Sequence, residues 1–189
     1  EENQVKNNSL VFEYLGVISF MCAMFVCAWS KTFFKLFFVG DYVNGYIVTP
    51  YLFLGPLLLM LYQVISNQFL VIKKTLPGMF ILFTGAIINV VLNIYLIPLI
   101  GIEGAAIATL VGYAVSVFIC AIVLIKMNLA EISLKFKFLS LLLILFMLIW
   151  RNALIANIAA STVLAIAYVS ISVALYRAEI ISIIKRLCK

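Results

Sequence analysis

The sequence predicts an all-α integral membrane protein with about six transmembrane helices, and three observations predict it. Of 189 residues, 67% are hydrophobic and 11% charged, with a mean hydropathy of +1.26. A soluble domain runs nearer about 45–50% apolar and about 25% charged, so no soluble fold of this size could clothe its surface with what is here. Apolar runs bounded by charge, glycine or proline recur along the whole chain, and the connections between them are short.

Crossing about 30 Å of hydrocarbon takes roughly 20 apolar residues in a helix. The runs that meet or approach this are 10–29, 46–72, 77–98, 104–125, 132–150 and 153–176. The first is too long for the apolar core of a signal peptide, and no small-x-small cleavage site follows it. The second is over-long and contains Thr49-Pro50 and Gly55-Pro56, which predict tilt or a kink. Pro98 is expected to end the third, with Gly101 and Gly104 allowing a tight turn into the fourth. The fifth has a clean apolar run only over 136–150, and spans only if Lys135 and Lys137 snorkel to the interface.

Basic residues set the orientation. With six spans, Lys6, Lys73, Lys74, Lys126, Lys135, Lys137, Arg177, Lys185, Arg186 and Lys189 share one side, and Lys31, Lys35 and Arg151 the other. Cytoplasmic loops are rich in Lys and Arg, so both ends of the stretch are expected in the cytoplasm, in a multi-pass protein of the cytoplasmic (inner) membrane. Trp29 and Trp150 then fall at the outer interface, as an aromatic belt predicts. The net charge of +6 reads as topology and contact with anionic membrane lipids. Its dispersal over loops argues against nucleic acid as a partner.

Several chemistries are disfavoured. There is no His, which removes Ser–His–Asp and Cys–His arrangements and histidine metal ligands. Cys22, Cys27, Cys120 and Cys188 form no C-x-x-C pair and read as small packing residues. No enzyme activity, metal or cofactor is expected. No acidic or basic residue lies near the middle of a run. Glu13 is expected in the first turn of its helix, within reach of water, the sharper alternative being a buried proton-coupling acid.

The polar character at depth is uncharged. Gly85, Asn89 and Asn93 recur every four residues on one face of the third run. Gly104, Ala108, Gly112, Ser116 and Cys120 form a small-residue stripe on the fourth, the pattern that lets two helix backbones approach closely. Gln63, Ser66 and Asn67 share a face of the second. One reading makes these faces packing seams, with asparagines bonding across helices for about 0.6–2 kcal/mol each. The other makes Asn89, Asn93, Gln63 and Asn67 the border of a polar cavity through which a hydrophilic group passes.

The stretch 88–113, INVVLNIYLIPLIGIEGAAIATLVGY, carries a resemblance. Its Asn-xxx-Asn pair, Leu-Ile-Pro, and Gly-x-x-Gly-Ala-Ala-x-Ala-Thr resemble the C-terminal half of the polysaccharide flippases. These belong to the multidrug/oligosaccharidyl-lipid/polysaccharide exporter superfamily. Phe38-Val39-Gly40-Asp41-Tyr42 is similar to the family's Phe-Gly-acid-Tyr stretch, with Val39 interposed. The resemblance implies two lobes of six to eight helices around a cavity with alternating access. Such proteins move undecaprenyl-linked oligosaccharide repeat units between leaflets in surface polysaccharide (O-antigen, lipopolysaccharide) biosynthesis. On this reading residues 1–189 are part of the C-terminal lobe, consistent with a start at Glu1 rather than Met, and the N-terminal lobe is the missing partner. The cations that meet a lipid pyrophosphate would come from that lobe. A drug/cation antiporter of the same superfamily is the first alternative. An integral-membrane enzyme or a structural membrane subunit follows.

Overall fold

The computed structural model describes residues 2–155 and 157–181, and every regular element among them is helical. Lys185, Arg186, Lys189 and Cys188 lie outside the described residues. The helices are α1 (Glu2–Phe37), α2 (Thr49–Val71), α3 (Leu76–Ile100), α4 (Ile102–Lys126), α5 (Leu134–Ile149) and α6 (Ile158–Leu175). A 3-10 stretch, Gly40–Ile47, joins α1 to α2, and a π-helical turn, Trp150–Leu154, follows α5 directly.

Five of the helices are long and apolar enough to cross a membrane, the described chain being an all-α membrane protein. α5, at 16 residues, falls short of the fifth expected span, 132–150. At about 1.5 Å per residue its α-helical part reaches only about 24 Å. The π turn that prolongs it covers residues expected to open the next span, so α6 starts at Ile158, capped by the Asn157 side chain accepting from the Ala160 N–H at 3.1 Å. α1, at 36 residues, far exceeds the predicted 10–29. Nothing before Gly40 interrupts it except Gly16, and polar flanks such as Asn7, Asn8 and Ser30 continue a helix as long as no proline or left-handed turn intervenes. Gly40 supplies that turn with φ of 65°.

The over-long second run resolves differently. Residues 40–47 coil as 3-10 helix, and α2 begins with Pro50 in its first turn, where a missing N–H loses no bond. Pro98 does not end α3, which runs on to Ile100. Gly101 ends it, at φ 61° and ψ −138°, a conformation that belongs almost solely to glycine.

The helices pack in the spatial order α3, α4, α2, α1, with α5 and α6 against the far side of α1. α3 packs extensively only on α4 and scarcely meets α2. The small stripe explains the closeness of α3 and α4. A Cβ added at Gly112 would stand 2.8 Å from the Gly85 carbonyl oxygen and 3.0 Å from the Asn89 Cβ. One at Gly104 would stand 2.5 Å from the Leu96 carbonyl oxygen, and one at Gly85 would strike the Ser116 side chain. Ala108, Ser116 and Cys120 are fully buried on the same stripe. At the other end of the bundle, Gly16 makes room for the Phe136 ring, which also packs on Phe12 and Phe20.

Gly85→Val is therefore expected to lower stability by about 1–3 kcal/mol through overpacking, read as a fall in the thermal midpoint in detergent. The adjacent Ala86→Val, on the outward face, is expected to leave it unchanged.

Candidate functional site

The two asparagines sit on the α3–α4 seam, both half-buried. Asn93 Nδ2 donates to Asn89 Oδ1 at 2.7 Å, so the pair bonds along its own helix and not across helices as the sequence suggested. An i, i+4 amide pair satisfies one donor and one acceptor locally, so no interhelical amide bond forms there. Gln63 and Asn67 point elsewhere. Both are exposed on α2, which meets α3 only near the start of α3, where the Tyr62 hydroxyl donates to the Gly78 carbonyl, and neither side chain has a hydrogen-bond partner among the described residues. The four are not gathered around one cavity. Gly104, Ala108, Gly112 and Ser116 line the seam, as the packing reading expects.

The sequence reading missed two polar clusters, each linking residues far apart in the chain. At the end of the bundle where α1 begins and α6 finishes, Glu13 is 5% exposed. It does not lie in a first turn open to water, because α1 starts eleven positions earlier, at Glu2. Its carboxylate accepts from the Ser133 backbone N–H, from the Ser133 hydroxyl at 2.7 Å and from the Tyr176 hydroxyl at 2.9 Å. Ser133 is also the N-cap of α5, accepting from the Phe136 N–H at 3.2 Å. One buried carboxylate thus fixes where α5 starts and where α6 ends relative to α1. Beside it Lys135 Nζ donates to Glu179 at 2.8 Å and stands over the Tyr176 ring at 5.5 Å. The Lys135 hydrogen bond holds the Glu179 carboxyl below its usual pKa.

At the opposite end Arg151, in the π turn, pairs with Glu103 in the first turn of α4. Its Nε donates to Oε1, and its Nη2 to Oε2 at 2.8 Å, a two-pronged pair. The hydrogen bond to Glu103 raises the Arg151 pKa further. α4 makes no extensive packing contact with α5 or α6, so this pair joins helices that are otherwise separate at that end. Trp150, expected in an interfacial belt, is instead 2% exposed inside the bundle, whereas Trp29 is 51% exposed. The π turn rotates Trp150 inward as it turns Arg151 toward Glu103.

Cys27 and Cys120 are buried packing residues and Cys22 is exposed. The described residues contain no cluster of three or more His, Cys, Asp or Glu that could hold a metal ion. Compared with protein-family models, with curated proteins and with solved structures, the chain matches none.

Glu13→Leu strands the buried Tyr176 hydroxyl, at a cost of about 1–3 kcal/mol when unsatisfied, and two part-buried donors of Ser133. A large drop in thermal midpoint is expected, with a smaller one for Glu13→Gln, which keeps an acceptor oxygen. Tyr176→Phe is expected to destabilise the wild-type chain but to add little in the Glu13→Leu background. Full additivity of the two would contradict the shared bond.

Proposed function

We propose that this chain is the C-terminal part of a polysaccharide flippase that moves undecaprenyl-linked oligosaccharide repeat units across the cytoplasmic membrane, with both ends of the stretch in the cytoplasm. The observation that carries the reading is the motif-bearing stretch 88–113, which forms one tight hairpin at the edge of the bundle. Gly104, Ala108 and Gly112 have a packing reason in that hairpin and Gly101 a turn reason, whereas Asn89 meets Gly112 through its Cα and Cβ and not through its amide. Asn89 and Asn93 use one donor and one acceptor on each other, and keep amide capacity at mid-membrane depth. Polar groups at that depth are expensive unless they face a water-filled path or a partner.

α3 supports the same reading. It packs extensively on one helix only, and its remaining faces carry exposed Phe83, Val90, Ile94 and Tyr95 beside the asparagines. A second lobe rocking against this one would meet the Asn89–Asn93 edge, and alternating access requires two such bodies around a shared site. The charge that meets a lipid pyrophosphate would come from that N-terminal lobe. The basic side chains of the described residues lie toward the helix ends and in the connections, not at mid-membrane depth.

Asn89→Ala and Asn93→Ala in the full-length protein test this. If the pair borders the substrate path, surface glycan falls while membrane abundance and thermal midpoint hold. Normal glycan export with a lowered midpoint would make the pair a packing feature and remove the support it gives to transport.

A further inference from the structure

A cavity of about 350 Å³ opens between the first turns of α1, the α4–α5 connection and the end of α6. That volume suits a small polar group. It lies where α4 has ended, α5 begins and α6 finishes, at the helix ends where a spanning bundle would meet lipid headgroups.

Most of the charge around it is already spent. Glu13 is held by Ser133 and Tyr176, and Lys135 pairs with Glu179. Two charged groups on the lining are left over, the Lys6 ammonium and the Glu131 carboxylate. Both are exposed, and among the described residues neither forms an ion pair, with the other or with any other side chain. Glu131 is anchored through its backbone, its N–H donating to the Ser9 hydroxyl at 3.0 Å, so its carboxylate stays at the cavity rim. One unspent cation and one unspent anion on one lining complement a ligand with both charges. Leu10, Tyr14 and Ile132 complete the wall with apolar surface.

We propose that this cavity binds the phosphoethanolamine headgroup of a membrane lipid, Lys6 receiving the phosphate and Glu131 the primary ammonium. An anionic headgroup would meet Glu131 unfavourably. A choline headgroup has no N–H to donate to Glu131. The Leu10 wall continues into Val11, exposed on the same helix, and offers a place for the first methylenes of a lipid chain. Basic pockets between spanning helices are a common way of holding lipid phosphates, and the added carboxylate is what selects an ammonium here. This inference does not depend on what the protein transports.

The test is a titration of the purified full-length protein, in detergent, with phosphatidylethanolamine, phosphatidylcholine and phosphatidylglycerol, read by native mass spectrometry. Phosphatidylethanolamine is expected to bind about tenfold tighter than phosphatidylcholine, the scale of a charge-assisted hydrogen bond lost. Glu131→Gln is expected to erase that difference, and Lys6→Gln to weaken both lipids. Both positions are exposed, so each variant should keep the wild-type thermal midpoint. Equal binding of the three lipids, or tightest binding of phosphatidylglycerol, would overturn the proposal. So would displacement of the lipid by water-soluble O-phosphoethanolamine at equal affinity, which would assign the cavity to a soluble phosphate ester.

Discussion

Helices in hydrocarbon gain nothing from hiding apolar surface from one another, because lipid chains are as apolar as leucine. Association must come from close backbone approach and from polar groups that lack water. The bundle uses both, in different places. Where α3 meets α4 the means is absence of side chains, at Gly85, Gly104 and Gly112. Where α5 and α6 meet the rest it is polar, with Glu13 clasping Ser133 and Tyr176 at one end and Arg151 clasping Glu103 at the other. The Arg151–Glu103 end needs the α3–α4 seam as well, since Glu103 stands on the first turn of the helix that the seam positions.

Much of this was legible in the sequence because it is written at short range. Spacing of four along 104–120 placed the small residues on one face, and the structure buries that face against Gly85, Asn89 and Leu96. Hydropathy located α2, α3 and α4 to within a few residues. It was least informative at 132–158, where a capping serine, a π turn and a buried tryptophan decide the boundaries and composition does not. Pro98 misled for a local reason, since a proline in a last turn removes one bond without reversing the chain, which the left-handed Gly101 does.

The polar clusters were not legible. Glu13 and Tyr176 are 163 positions apart, and Glu103 and Arg151 are 48 apart, so no periodicity relates them. Glu13 read alone was an acid near a helix start, and only the fold supplies its three donors. The four amides chosen for their residue type fared unevenly for the same reason. Asn89 and Asn93, four apart on one helix, do meet, whereas Gln63 and Asn67 are exposed on α2, away from that pair. The transport reading therefore rests on the α3 pair and on the resemblance of 88–113, and the lipid site on charges that only the fold assembles.

The most direct measurement of the central claim, that α3 and α4 are held backbone to backbone through the Asn89–Gly112 contact, is disulfide formation in membranes. Asn89→Cys and Gly112→Cys would be combined in a chain whose natural cysteines are replaced. Their Cβ atoms would lie about 3.0 Å apart, closer than the about 3.5–4.5 Å of a disulfide, so the helices need to part by less than about an ångström to link. Mild oxidation should then link them within one chain, while Ile87→Cys, on the outward face of α3, should stay unlinked to Gly112→Cys. Linkage through position 87 and not 89 would mean that α3 turns a different face to α4, and would contradict the account.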